Sequence, residues 1–231
     1  NSSSVQTIKI NVQDVNDTLD FEWTTLLASS TNNISSSADD QSYSISAFNP
    51  FGRYNNSHLM YVVGSATGDS IWGENGQNNN SVSGASDAFI TALKTNGNEA
   101  WTTLIGDANH DFGYAVTIGS HNNVYVAGRY SDIEQNAGPG HRGWDAFLTR
   151  VDGLEGTVLW TQYYGSYSEY NPGGGDPIQW LPTGSEDVAN DLATGLDGYI
   201  YMTGYTKYSH GRFGSETYRN GPVNSGAFDA F

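Results

Sequence analysis

Cysteine is absent from this 231-residue chain. That excludes a disulfide framework, a thiolate metal site and a cysteine nucleophile. Secretion stays open, because a chain of this length can bury enough surface to fold without covalent staples. Basic residues are scarce: 9 Lys and Arg stand against 25 Asp and Glu, a formal net charge of −16. The lysines are Lys9, Lys94 and Lys207, far apart in sequence. Such a chain repels phosphate backbones and anionic lipid, so nucleic acid and membrane surfaces are poor partners and divalent cations better ones. No apolar run approaches the ~20 residues of a membrane-spanning helix. No segment of roughly ten or more residues keeps a helical period. What is abundant is Gly (28), Tyr (15), Asn and Ser. Turn formers with aromatics favour short strands joined by tight turns.

The chain repeats itself. Asp-Ala-Phe occurs at Asp87, Asp145 and Asp229. The first two copies are followed by a Trp-Thr pair, at Trp101 and Trp160, with Gly97 and Gly156 just before and Gly106 and Gly165 just after. Residues 111–128 and 187–204 then align without a gap, placing Tyr125 on Tyr201 and Gly119 on Gly195. A degenerate earlier copy carries Trp23-Thr24-Thr25 and Met60-Tyr61-Val62-Val63-Gly64. Unequal spacing around a constant pattern means insertions in loops, not a change of unit. Each unit reads as four strands. In one copy these are 88–93, 100–105, 115–118 and 124–127, expected to pair as one antiparallel sheet. In the next they are 146–151, 158–164, 191–194 and 199–203. Thr95-Asn96-Gly97 and Leu196-Asp197-Gly198 suit hairpin turns.

This pattern of Asp-Ala-Phe, Trp-Thr and spaced glycines resembles the bacterial beta-propeller repeat family over about residues 20–231. The resemblance implies an all-β fold: a partial β-propeller of four-stranded antiparallel blades, about three blades plus the start of another. Residues 1–19 differ. Val5 to Val12 alternates and runs into Asp14-Val15-Asn16-Asp17, which is similar to the terminal strand and linker of a cadherin-like repeat. The chain therefore reads as an internal piece of a larger protein. The two resemblances imply a non-catalytic binding, adhesion or scaffold module of a large bacterial surface or secreted protein, at an extracellular or cell-surface location. Its partners would be a protein or glycan surface and the neighbouring domains of the same parent chain. The Gly-to-Trp spacing is also similar to quinone-dependent dehydrogenase repeats, so a fragment of a propeller enzyme is the alternative.

Site residues follow from which positions recur. Catalysis needs a residue once, whereas a fold needs it in every unit. Trp23, Trp101 and Trp160 are thus assigned to packing between blades, with Trp101 and Trp160 both expected to be largely buried. Asp87 and Asp145 begin equivalent strands, and Asp111 and Asp187 occupy equivalent turns, where Asp bonds nearby backbone N–H groups. Asp14, Asn16 and Asp17 offer the hard oxygens that calcium prefers, and in cadherin-like repeats such residues share calcium between adjoining domains. An acidic, solvated linker is the plainer reading. Asp107-Ala108-Asn109-His110-Asp111 opens like a calcium loop, but Phe112 and Ile118 stand where an EF-hand needs Gly and Glu. The five histidines show no metal-ligand spacing, and no nucleophile elbow or phosphate loop is present.

Overall fold

A computed structural model describes residues 40–47, 59–67, 86–107, 109–133, 142–170, 179–182, 186–207, 212–215 and 228–231. The proposed linker residues Asp14, Asn16 and Asp17, the boundary near residue 19, and Trp23 lie outside the described residues. The described residues form strands and turns only, as the Gly-, Asn- and aromatic-rich composition demands. The first sheet has the order β1 (Gln41–Ala47), β2 (Leu59–Ala66), β3 (Asp87–Lys94), β4 (Glu99–Ile105), each strand antiparallel to the next. The same meander recurs as β5 (Asp111–Ile118), β6 (Asn123–Ile133), β7 (Arg142–Asp152) and β8 (Val158–Tyr170). β9 (Gln179–Pro182) pairs with the far end of β8. A third unit begins with β10 (Glu186–Thr194) and β11 (Ile200–Lys207). β12 (Arg212–Ser215) returns to β8, and β13 (Phe228–Ala230) pairs with β11.

The strands sit where the sequence pattern puts them, but their grouping differs from expectation. Strands 87–94 and 99–105 close the first sheet, while 111–118 and 123–133 open the second. The proposed sheet of 88–93, 100–105, 115–118 and 124–127 does not form. Among the described residues, single parallel bridges join the start of one unit's first strand to the start of the third strand of the unit before it, Ser86 to His110 and Trp144 to Glu186. Each bridge joins the residue before an Asp-Ala-Phe aspartate to the residue before the next unit's first-strand aspartate.

Local chemistry explains the recurring glycines. The first strand of each unit carries a bulge, leaving Tyr43, Tyr114 and Asn190 as the extra residues. Opposite each bulge stands Gly64, Gly128 or Gly204, and a Cβ there would run into the carbonyl of Gln41, Phe112 or Val188. The Thr after each Trp has its own partner, for Thr102 bonds Thr91 and Thr161 bonds Thr149 across the sheet, both at 2.9 Å.

β2 and β3 are buried along nearly their whole length, Val62, Phe89 and Leu93 packing on one face while the other face packs on the neighbouring unit. Tyr61, Val63, Ile90 and Trp101 of the first unit pack with Val116, Val126, Phe147 and Val151 of the second. Between the second and third units the contact is made of smaller residues, Ala115, Ala127, Ala146 and Ala189 with Leu148 and Leu192. Trp101 is 3% exposed. Its indole N–H donates to the Gly153 carbonyl at 3.3 Å, the Tyr61 hydroxyl donates to the same oxygen at 3.0 Å, and Thr103 donates to the Gly156 carbonyl at 2.6 Å. The β7–β8 hairpin of the second unit thus caps the first. Trp160 keeps the matching tyrosine contact, to Tyr125 at 6.1 Å, yet it is 39% exposed. The expectation of burial fails there because no corresponding hairpin covers it among the described residues.

Candidate functional site

Two polar features lie where successive units meet. The first is a group of carboxylates. Asp87, Asp111, Asp145 and Asp187 are all buried, and all lie within strands, so Asp111 and Asp187 are not in turns as expected. Gly106 and Gly165 leave the room they need, since a Cβ at either would meet the carboxylate of Asp111 or Asp145. Asp111 Oδ2 accepts the Asp107 N–H at 3.0 Å, while Oδ1 has no hydrogen-bond partner among the described residues. Burial pushes the Asp111 carboxyl up to about 7; the Asp107 N–H opposes the rise, and the carboxylates of Asp107 and Asp87 add to it.

Asp107 itself accepts three hydrogen bonds. Its Oδ1 accepts from the Asn109 backbone and side-chain N–H groups, at 2.9 and 3.1 Å, and its Oδ2 accepts from the Tyr130 hydroxyl at 2.8 Å. The run that opens like a calcium loop is therefore a hydrogen-bonded connection between sheets. No group of three or more His, Asp or Glu side chains is arranged to hold a metal ion among the described residues. Ser86 Oγ and His110 Nδ1 lie 3.0 Å apart beside the parallel bridge. The serine is only 1% exposed, so its hydroxyl serves the junction between sheets.

The second feature is an aromatic surface centred on Arg129. Phe112 on β5 sits directly opposite Arg129 on β6, and Trp144 lies on the same face of β7, next to Arg129 along the diagonal. The guanidinium carbon is 4.1 Å from the Trp144 ring centroid, 4.7 Å from Phe112 and 5.8 Å from Tyr114. His110, just before β5, is followed along that strand by Phe112 and Tyr114. Their rings are nearly parallel, 8° and 12° apart in plane, with centroids 6.3 and 6.1 Å apart. Tyr43, the bulge residue of the first unit, meets Tyr114, the bulge residue of the second, at 5.1 Å. A bulge re-aims its side chain, and here two bulges aim tyrosines at a shared surface.

Glu186 of β10 closes the arrangement. It stands 3.9 Å from Arg129 Nη1 and 3.7 Å from Lys207 Nζ, and it accepts the Tyr205 hydroxyl at 2.9 Å. Burial, and then that bond to a carboxylate, pushes the Tyr205 hydroxyl up to about 12. Burial likewise raises Tyr114, while Arg129 pulls it back down. Pattern reading missed this surface, because it weighed repeated positions and these residues are not repeated. In the aligned segments Phe112 falls on Val188, Tyr114 on Asn190 and Arg129 on Tyr205.

No helix among the described residues is long and apolar enough to cross a membrane. No family model matches the chain. It is similar to the regulatory protein FlaEY of Caulobacter vibrioides, at 36% identity over 93 residues. That match covers 38% of this chain, and the chain spans only 10% of the relative's length.

Proposed function

We propose that the two meanders are consecutive blades of a β-propeller and that the chain is a recognition or adhesion module of a bacterial extracellular or cell-surface protein. Four antiparallel strands per unit, a Trp clamp between units and an equivalent single bridge at each junction support the blade reading. The observation that carries recognition is the partly exposed cluster of Tyr43, Phe112, Tyr114 and Trp144 around Arg129. A contiguous, partly exposed aromatic cluster beside charged groups is the kind of surface that takes a ligand. Function is argued from this surface rather than from the fold, since propellers host enzymes and binders alike. Calcium belongs to the same proposal: in the full-length protein Asp14, Asn16 and Asp17 help to hold it in the linker ahead of the repeat, with the rest of the shell supplied by the preceding domain.

The test is binding of the chain to immobilised bacterial and host cell surfaces, compared with a Trp144→Ser, Tyr114→Ser variant. Retention by wild type and loss in a variant that still unfolds cooperatively supports recognition. Equal retention of both, or of neither, removes the role from this surface.

A further inference from the structure

We propose that the edge of β11, together with Trp160, is a docking surface for a β-hairpin of this same repeat. One strand of the hairpin, of the pattern apolar-Thr-x-apolar, lies beside Ile200–Thr203, and its glycine turn lies over the Trp160 indole. This face is separate from the Arg129 surface, and its role does not depend on whether the units close into a ring.

Register defines the strand that fits. In the first two units the third strand runs beside the second along its length, with Gly64 opposite Phe89 and Gly128 opposite Phe147. β13 starts on β11 in the same register. Asp229 stands opposite Thr206 and Ala230 opposite Tyr205, and Gly204 and Phe231 exchange both backbone hydrogen bonds, at 3.2 and 3.3 Å. The ring contact recurs as well: a Cβ at Gly64 would meet the Phe89 ring and one at Gly204 the Phe231 ring, each at 2.8 Å. In the first two units four more pairs follow, Val63–Ile90 to Met60–Leu93 and Ala127–Leu148 to Val124–Val151. Their counterparts Thr203, Met202, Tyr201 and Ile200 have no strand beside them on that edge among the described residues. Ile90-Thr91-Ala92-Leu93 and Leu148-Thr149-Arg150-Val151 give the pattern that pairs at these places. An open edge takes a strand through main-chain hydrogen bonds, and the side-chain places beside it set the sequence.

The Trp160 end continues an interface that this molecule already builds once. Trp101 and Tyr61, with ring centroids 5.9 Å apart, both donate to the Gly153 carbonyl of the next unit's hairpin, and Gly156 lies against the indole. Trp160 and Tyr125 keep the same pairing at 6.1 Å. Tyr125 and Ile200 pack on one cluster between the second and third units, so the indole and the β11 edge form one surface. Burial differs between the two interfaces. Tyr61 is 5% exposed, whereas its third-unit counterpart Tyr201 is 55% exposed, and Val158, Leu159 and Tyr199 are exposed beside it and Trp160. Apolar exposure gathered in this way marks a protein contact. The occupant is a free hairpin and not a second folded copy, because both strands of the fitting pattern are already paired on two sides, β3 by β2 and β4 and β7 by β6 and β8.

The experiment supplies a hairpin of known sequence, a synthetic peptide of residues 148–165, and follows hydrogen exchange of the chain. Saturating peptide should slow exchange over Ile200–Thr203 by about tenfold or more, as strand addition protects the edge amides. An isolated hairpin is weakly ordered, so the same segment is also fused directly after Phe231, where it continues β13 in register and its effective concentration is high. The fused protein should show the same protection. Trp160→Ser should weaken peptide binding by about tenfold or more, as loss of a central aromatic anchor does, with cooperative unfolding confirming the fold. A scrambled segment should protect nothing. Unchanged exchange over Ile200–Thr203 with both peptide and fusion overturns the proposal, and so does an equal effect of the scrambled segment or equal binding by Trp160→Ser. Sedimentation showing that the chain alone dimerises, with Ile200–Thr203 protected in the dimer, assigns the surface to a second copy and also overturns it.

Discussion

Replacing Asp111 with asparagine isolates what a buried carboxylate does to this fold. The group is 1% exposed, and its carboxyl is raised from 3.8 to about 7 by burial, against the pull of the Asp107 N–H and with help from the carboxylates of Asp107 and Asp87. Tyr163 and Tyr130 face the same pocket from β8 and β6, Tyr163 feeling the charge of Asp111 and Tyr130 bonding Asp107. In the unfolded chain the carboxyl ionises near pH 4, whereas in the folded chain it keeps its proton to about pH 7. Between those limits the folded state binds more protons, so stability falls as pH rises, by about 1.4 kcal/mol per pH unit. The full contribution is present below pH 4, and above pH 7 nothing further is lost. From pH 5 to pH 8 the wild type should therefore lose about 3 kcal/mol relative to Asp111→Asn, whose amide cannot ionise. Urea unfolding of both proteins at several pH values reads this difference directly, and repulsion among the other acidic groups cancels in the comparison. Parallel stability curves for the two proteins, or an Asp111 carboxyl that titrates below pH 5 by NMR, would refute the reasoning.

Trp101→Ala should cost about 3–5 kcal/mol in urea unfolding, and Trp160→Ala distinctly less, because only Trp101 is capped by the β7–β8 hairpin; equal losses would remove the clamp. Gly156→Ala should destabilise more than Gly198→Ala. Both sit at positive φ, 76° and 84°, costing about 1–2 kcal/mol each, but only the Cβ at 156 meets the Trp101 ring, at 2.6 Å, while 198 opens on free space. A melting comparison giving the same shift for both would argue against that contact. Calcium titrated by calorimetry into a protein that also carries the whole preceding domain should bind with an affinity in the range of about 10⁻⁴–10⁻³ M typical of extracellular modules, and into this chain alone weakly or not at all, because three ligands do not complete a calcium shell. Asp14→Ala with Asp17→Ala should remove the signal, and an unchanged isotherm would reduce the motif to an acidic linker.

Strand positions were legible in this sequence because alternation and turn glycines are local. The grouping of strands was not. A match between copies survives a shift by any number of strands, so it says where a unit recurs and not where it starts. Connection length then points the wrong way. The link from β4 to β5 spans only 106–110, short enough for a hairpin, yet it crosses between sheets. The link from β2 to β3 spans 67–86, long enough for a crossover, yet its strands are antiparallel neighbours. The short crossing is possible because the His110 carbonyl accepts from the Ser131 N–H and the Asp111 N–H donates to Ser86, contacts between residues far apart in sequence.

The candidate surface was hidden for a related reason. Recurrence identifies what every unit needs, and Asp87, Asp111, Asp145 and Asp187 sit at strand positions next to the bridges, Asp111 and Asp187 in strands where turns were expected. A binding surface is built where units differ. Trp144 holds the bridge position that Ser86 holds one unit earlier, and Glu186 holds the position of His110. The fold requires only a backbone bridge at these places, so their side chains are free to vary, and here they supply an indole and a carboxylate to the same guanidinium. The bulge residues follow the same logic: the backbone needs an extra residue in every first strand, and the side chains are Tyr43, Tyr114 and Asn190. In this chain, positions whose backbone role recurs while the residue changes are the ones that build the surface around Arg129. Residue by residue, 111–131 and 187–207 differ at Phe112, Tyr114 and Arg129, against Val188, Asn190 and Tyr205, so the sequence alone marks these positions as unlike their counterparts.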